Sequence, residues 1–198
     1  MKHPFEYPVN SSERKHAPKG YINYTSYKPW LRDEFDFRCP YCLAREKWEH
    51  DGTNQFGVEH LKPKGKYPLL ENIYSNLTYC CNRCNNLKGQ IELDEIFLRE
   101  HIQFKDNGKL NALTKYGEKI IDIFNLNDDK LIEYREKFYK TIIHLYENSH
   151  DIYLKWMGFP EDLPDLSKQK PPLGNDKPNG IKKSYFELKK QDKLQLDY

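Results

Sequence analysis

Two short cysteine motifs decide the fold of this chain: Cys39-Pro40-Tyr41-Cys42 and Cys81-Asn82-Arg83-Cys84. Paired C-x-x-C motifs supply four thiolates, which are the ligand set of a closed, tetrahedral, structural zinc site. The 38 residues from 43 to 80 lie between them, so the zinc would hold together the two ends of an inserted unit. Unrelated buried cysteines are the alternative, and two matched pairs argue against it. Cys80 could begin a C-x-x-x-C motif instead, but only Cys81 reproduces the spacing of the first pair.

The composition is that of a folded chain without the features of a membrane or secreted protein. The 198 residues are 37% hydrophobic and 14% aromatic, which is enough for a core despite a mean hydropathy of −0.95. There is no run of about 18 apolar residues, and the first ten residues lack the apolar segment of a signal peptide. Five cysteines, an odd number, fit metal thiolates in a reducing compartment better than disulfides. We therefore expect a cytoplasmic protein that does not enter a membrane.

Residues 55–60 and 73–79 have the pattern of two short strands joined by a loop rich in lysine and proline. Glu59 and His60 stand next to each other at the end of the first strand. Adjacent strand side chains point to opposite faces unless the backbone twists or bulges. Neighbouring Glu and His residues are also common on protein surfaces. The pair indicates a functional site because it lies between the two cysteine motifs.

The residues after the last cysteine predict a short helix that ends at Gly89. Asn85 and Lys88 then share one face of the helix. The Asn85 amide oxygen can serve as a ligand for a hard metal ion, and Lys88 can meet a phosphate. The alternative for Asn85 is a helix cap.

Local charge favours a polyanionic substrate more than the total charge does. The net charge is only +2, so bulk charge alone would not hold the protein on nucleic acid. From residue 59 to 90, five basic residues face two acidic ones, Glu59 and Glu71, a surplus of three. We expect this set to bind nucleic acid, with a solvated lysine-rich loop as the alternative: Lys62, Lys64, Lys66, Arg83 and Lys88.

Four segments in this order resemble the HNH endonuclease superfamily in its four-cysteine variety: RCPYC, VEHLKPK, Ser75-Asn76-Leu77 and CNRCNNLKG. The resemblance covers about residues 37–90. It implies that His60 is the general base and that Glu59 and Asn85 hold a catalytic Mg²⁺ or Mn²⁺ ion. It also implies that Asn76 braces the loop around the site, and that the zinc ligands are Cys39, Cys42, Cys81 and Cys84. Glu59 replaces the usual Asp and Asn85 replaces the usual His, and both replacements keep an oxygen ligand.

The resemblance implies an α+β fold in which a small ββα-metal (HNH) core with a structural zinc carries a helical C-terminal extension. We divide the chain into an N-terminal irregular arm (1–30), the HNH core (31–95), the helical extension (96–157), and a proline-rich segment with a charged tail (158–198). In the extension, apolar spacing predicts one helix containing Ile120 and Phe124 and a longer helix from about Asn127.

The expected function is metal-dependent endonuclease activity on nucleic acid, with DNA favoured. The helical part contains GKLNALT (108–114), an isoleucine-rich helix, NLN (125–127) and a long helix with Arg135. Through these features it resembles a branch of these nucleases found in bacterial anti-phage defence, some of which are paired with an ATPase. The expected partners are therefore nucleic acid and an ATPase or other defence-system subunit. A homodimer is left open, since cutting both strands implies paired centres. The alternatives are a non-catalytic zinc-stabilised nucleic-acid-binding module and a partner-binding subunit.

Overall fold

The computed structural model describes residues 3–8 and 13–197. The fold is α+β, as the resemblance implied, with two small antiparallel sheets among helices. In chain order, the helices and strands are α1 (Lys28–Glu34), β1 (Phe56–His60), β2 (Leu77–Cys81), α2 (Asn82–Lys88), β3 (Ile102–Phe104), β4 (Leu110–Ala112), α3 (Lys115–Ile123), α4 (Asp129–Asn148), α5 (His150–Met157), α6 (Asn179–Lys182) and α7 (Tyr185–Lys190).

The central unit is β1, β2 and α2. The two strands pair antiparallel, with Phe56 opposite Cys81 and His60 opposite Leu77. Helix α2 follows β2 without a linker and ends at Gly89, whose φ of +50° suits a residue without a side chain. Strand β1 and α2 agree with the sequence prediction to within one residue.

The second strand begins later than the sequence predicts. Residues 74–76 form a 3-10 turn, and β2 runs from Leu77 to Cys81. The reason lies in Asn76, whose side chain makes hydrogen bonds to the preceding loop at Lys62 and Leu70. Ile73, placed in the strand by its apolar character, is 46% exposed.

The N-terminal arm packs against this unit through a 3-10 turn at Tyr24–Tyr27 that leads directly into α1. Asn23 caps the turn, because its Oδ1 accepts a hydrogen bond of 2.9 Å from the Thr25 backbone N–H. Pro29 lies in the first turn of α1, where a missing N–H costs nothing. The arm therefore enters the body of the protein as ordered structure.

The extension begins with a hairpin that the sequence pattern does not predict. Strands β3 and β4 pair antiparallel, and Gly108 with φ +82° lies in the connection. Helices α3 and α4 occur where apolar spacing predicts them, but the N-cap of α4 is Asp128. Asn127 instead binds Leu110 of β4 through both its amide atoms, at 2.9 and 2.8 Å.

One hydrophobic core runs from the ββα unit into the extension, and it includes Tyr41, Cys84, Ile102 and Phe124. The Tyr41 and Phe124 rings stack with centroids 4.2 Å apart. The proline-rich segment also contributes to this core, because Leu166 is fully buried. Within residues 3–8 and 13–197, none of the helices combines the length and apolar character that a bilayer span requires.

Candidate active site

The four predicted zinc ligands lie together. The Sγ atoms of Cys39, Cys42, Cys81 and Cys84 are all within 4.8 Å of one another, and those of Cys42 and Cys81 are 3.6 Å apart. A tetrahedron with Zn–S bonds of about 2.3 Å requires sulfur separations of about 3.8 Å, so the cluster fits zinc. Cys80 is outside it and donates a hydrogen bond to the Cys81 carbonyl at 3.3 Å. The prediction that Cys81, not Cys80, belongs to the cluster is confirmed.

Zinc would fasten the start of α2 to the loop before β1. Hydrogen bonds from the neighbouring thiols, that of Cys39 first, lower the pKa of Cys81, which favours the thiolate that zinc binds. The first knuckle closes through hydrogen bonds from Cys39 N to Ala44 O and from Leu43 N to Cys39 O, with Leu43 at φ +63°. Since α2 begins next to Cys81, the metal fixes the position of this helix against β1.

His60 ends β1 with its imidazole in a defined orientation. Its Nε2 lies 3.0 Å from the backbone carbonyl of Glu71. A carbonyl only accepts hydrogen bonds, so Nε2 carries the proton and Nδ1 keeps its lone pair. Burial lowers the pKa of His60, an effect larger than the opposing hydrogen bond to Glu71. The ring is therefore neutral at pH 7 and can accept a proton at Nδ1.

Asn76 holds the loop that supplies this carbonyl. Its Oδ1 accepts from Lys62 N at 2.9 Å, and its Nδ2 donates to Lys62 O at 3.0 Å and to Leu70 O at 3.1 Å. Leu70 immediately precedes Glu71, whose carbonyl meets His60. Asn76 thus links both ends of the loop from 62 to 71, which is the bracing geometry that the resemblance implied.

Glu59 forms an ion pair that the sequence does not reveal. Its Oε1 lies 2.6 Å from Nζ of Lys88, and the Lys88 side chain is fully buried. This corrects the expectation that Lys88 contacts nucleic acid, because a buried ammonium paired with Glu59 cannot reach a phosphate. A lone buried lysine would be costly, so the carboxylate is its required partner. Lys88 belongs to the site as the counter-ion of Glu59.

Asn85 lies beside the same face of β1 as Glu59. A Cβ built on Gly57 would be 3.8 Å from Asn85 Nδ2, and residues 57 and 59 point to the same side of the strand. Within the described residues the Asn85 side chain makes no hydrogen bond, so its amide oxygen is uncommitted. A carboxylate and an amide oxygen are ligands that Mg²⁺ and Mn²⁺ accept. The donor set therefore fits a divalent ion held by Glu59 and Asn85.

The two predicted catalytic side chains leave β1 on opposite faces. Glu59 turns to Lys88 on α2, whereas His60 turns to Glu71 and to the ring of Tyr24, 4.7 Å away between centroids. The alternation expected for a regular strand is present.

The basic residues fall into two places. We call Lys62, Lys64 and Lys66 the loop lysines, since all three lie on the loop after β1. Lys64 and Lys66 make ion pairs of 3.4 Å with Glu71 and Glu92, and such exposed pairs are easily exchanged for a phosphate. Arg83 lies in the first turn of α2, away from the loop lysines. Its guanidinium donates hydrogen bonds to the carbonyls of Phe124 and Asn125 at 3.0 and 3.3 Å. Among these residues, Lys64 is linked to His60 through Glu71, whose carboxylate it pairs with and whose carbonyl meets Nε2 of the imidazole.

Sequence reasoning missed two contributors, Tyr24 and the backbone of Glu71. The first thirty residues contain several tyrosines, but their spacing does not indicate that one of them contacts His60. Nothing in the sequence near Glu71 indicates that its carbonyl orients His60, because this contact depends on the path of the loop.

A four-cysteine cluster that fits zinc, a ββα unit, an oriented histidine and an adjacent carboxylate are the features of the ββα-metal class of site. Residues 39–90 match the family model of the HNH endonucleases. This match covers both cysteine knuckles and the whole ββα unit.

Proposed function

We propose that this protein is a metal-dependent endonuclease that hydrolyses phosphodiester bonds of nucleic acid, with DNA as the favoured substrate. The observation that carries the proposal is the 3.0 Å contact between Nε2 of His60 and the carbonyl of Glu71, from which the tautomer is inferred. The Nε2–H of His60 is engaged by the Glu71 carbonyl, so Nδ1 alone is left to act as a base. General-base catalysis requires this kind of neutral, oriented acceptor.

In the proposed reaction, Nδ1 of His60 accepts a proton from the water that attacks phosphorus. Glu59 and Asn85 would hold a divalent ion, which supplies compensating charge for the phosphate and the departing oxygen. An in-line displacement places the attacking and leaving oxygens on opposite sides of phosphorus. The opposite faces of β1 taken by His60 and Glu59 suit this requirement. The hydrogen bonds of Asn76 to Lys62 and Leu70 hold the loop, so that the Glu71 carbonyl and the His60 imidazole stay in place.

The preference for DNA in this proposal rests on the sequence resemblance, and the loop lysines offer contacts to a phosphate backbone and not to base edges. Backbone contacts set position and affinity but carry no sequence information. The proposed enzyme would therefore cut with little preference of its own for base sequence.

A plasmid-nicking assay with Mg²⁺ or Mn²⁺ tests the proposal, and His50 provides a matched control. His50 is exposed and lies outside the ββα unit. We expect His60→Ala to lower the single-turnover rate by about 10² to 10⁴, with zinc content and unfolding temperature retained. His50→Ala should cleave like the wild type. Loss of cleavage in His50→Ala, or full activity in His60→Ala, would show that the base is assigned wrongly.

A second candidate is a zinc-stabilised nucleic-acid-binding module without catalysis. The buried ion pair between Glu59 and Lys88 favours it, because Lys88 already neutralises the carboxylate that would hold the ion. This candidate predicts nucleic-acid binding without Mn²⁺ binding. Calorimetric titration of the zinc-loaded protein with Mn²⁺ separates the two, since only the nuclease requires a divalent site that Glu59→Ala weakens.

A role in anti-phage defence with an ATPase subunit, and a homodimeric state, are proposals that rest on the sequence resemblance alone. Co-purification with a candidate ATPase tests the first. Sedimentation analysis, together with the ratio of nicked to linear plasmid product, tests the second, because paired centres cut both strands.

A further inference from the structure

The N-terminal arm reaches the predicted base. The Tyr24 ring packs against the His60 imidazole with centroids 4.7 Å apart and ring planes at 68°. This is the edge-to-face geometry that aromatic rings prefer. His60 is only 5% exposed, so a residue from a distant part of the sequence helps to enclose it.

Tyr24 also contacts the loop after β1, which contains Glu71, the residue whose carbonyl accepts the hydrogen bond from His60. The Lys64 ammonium lies 4.5 Å from the centre of the Tyr24 ring and 3.4 Å from its hydroxyl. Lys64 also pairs with the Glu71 carboxylate at 3.4 Å. These contacts form a closed circuit through four residues: His60, Tyr24, Lys64 and Glu71.

A second tyrosine of the same turn fixes the adjoining backbone. Tyr27 is buried, and its hydroxyl donates a hydrogen bond of 3.1 Å to the carbonyl of Asn72. Asn72 directly follows Glu71, whose carbonyl accepts from His60. The turn at Tyr24–Tyr27 therefore touches both the imidazole and the segment that orients it.

We propose that Tyr24 is a positioning residue for His60, and that Tyr27 supports it by anchoring the loop at Asn72. This inference rests on the proposed nuclease function. The Tyr24 ring limits rotation of the imidazole, so that Nδ1 stays directed at the substrate while Nε2 keeps its bond to Glu71. The relevant part of Tyr24 is its ring, since its hydroxyl contacts Lys64 and not His60.

The proposed role predicts different catalytic rates for two substitutions of Tyr24. Tyr24→Leu removes the ring and should lower kcat by about 10-fold to 100-fold, the scale expected for a misplaced catalytic group, with KM little changed. Tyr24→Phe keeps the ring and should recover the rate to within about threefold of the wild type. A substrate-binding role of the hydroxyl would instead raise KM in both variants.

Tyr146→Leu is the matched control. Tyr146 packs edge to face on His150, with centroids 5.5 Å apart and planes at 69°, in helices away from the ββα unit. The control removes the same kind of contact from a different histidine and should leave kcat unchanged. An equal loss of kcat in Tyr146→Leu would mean that general destabilisation, not positioning, explains the effect of Tyr24→Leu, and would overturn the proposal.

The orientation of His60 is measured independently of cleavage by ¹⁵N NMR of the zinc-loaded protein labelled at histidine, at a pH where His60 is neutral. The His60 signal is assigned by its loss in His60→Ala. Wild type and Tyr24→Phe should show the Nε2–H tautomer alone, and Tyr24→Leu a mixture of both tautomers. An unchanged single tautomer in Tyr24→Leu would overturn the proposal.

The two measurements separate failure of the inference from failure of the proposed function. If the wild-type protein does not cleave, the nuclease proposal fails, and the NMR result still decides whether Tyr24 orients His60. If Tyr24→Leu loses zinc or does not fold, Tyr27→Phe tests the same turn by deleting only the hydroxyl bound to Asn72. A lower kcat at unchanged KM, with partial tautomer mixing, supports the proposal, and wild-type kcat with one tautomer contradicts it.

Discussion

Asn76→Ala is the sharpest test of the proposal that Asn76 braces the loop from 62 to 71 and so positions His60. The change removes three hydrogen bonds, to the N–H and carbonyl of Lys62 and to the carbonyl of Leu70. It leaves the zinc cysteines, the strands and the charges of the site untouched. The expected result is a loss of catalytic rate, because the carbonyl of Glu71 that orients His60 follows Leu70 directly.

The magnitude follows from the surroundings of these bonds. Each is worth about 0.5 to 1.5 kcal/mol. Lys62 and Leu70 are partly exposed, so water can replace part of what is lost, and the sum is about 2 kcal/mol. In a chain of this size, each kcal/mol of lost stability lowers the unfolding temperature by about 2 to 4 °C. The unfolding temperature should therefore fall by about 4 to 8 °C. We expect kcat to fall by about 10-fold to 100-fold, as for a misplaced catalytic group.

Asn127→Ala supplies the matched control. Asn127 holds Leu110 through its backbone N–H and carbonyl in the same two-sided way. Leu110 is buried, so two lost bonds there cost about as much stability, about 2 kcal/mol. Calorimetry should give similar falls in unfolding temperature for both variants, but single-turnover cleavage should fall only for Asn76→Ala. Equal rates in the two variants would refute the view that Asn76 positions the base.

Three other outcomes are expected. Cys84→Ser should contain less than about half an equivalent of zinc by elemental analysis and should lose cooperative unfolding, because metal binding supplies folding free energy. Glu59→Ala should raise the Mg²⁺ concentration needed for cleavage and lower the unfolding temperature by leaving the Lys88 charge unpaired, whereas Glu59→Ala/Lys88→Met should recover stability but not cleavage. Replacing the loop lysines by Ala should weaken DNA binding regardless of sequence and flatten its dependence on salt, so an unchanged salt slope would argue against backbone contact.

The features that the sequence predicted correctly are local ones. The zinc cluster follows from the spacing of Cys39 and Cys42 and its repetition at Cys81 and Cys84. Helix α2 follows from the end of that motif and from Gly89. In each case the residues that set the geometry lie within a few positions of one another, where spacing determines which side chains can meet.

The features that it missed depend on distant contacts. The burial of Lys88 is set by Glu59 on another element. The enclosure of His60 by Tyr24 joins residues separated by α1 and the first cysteine motif. The late start of β2 also depends on a distant contact. The Asn76 side chain binds the loop after β1, and the strand pairing with β1 begins only at Leu77. Periodicity records which face is apolar but not which polar partner a buried side chain will find.

The ion pair between Glu59 and Lys88 also changes the electrostatic argument for substrate binding. The surplus of three charges between residues 59 and 90 counted Lys88 and Arg83 as free to meet phosphate. Lys88 is buried, and Arg83 binds the end of α3. The basic residues left for the proposed phosphate contact beside His60 are the three loop lysines, two of which pair with Glu71 and Glu92. The proposed affinity for a phosphate backbone should therefore depend on the divalent ion more strongly than the sequence count implies.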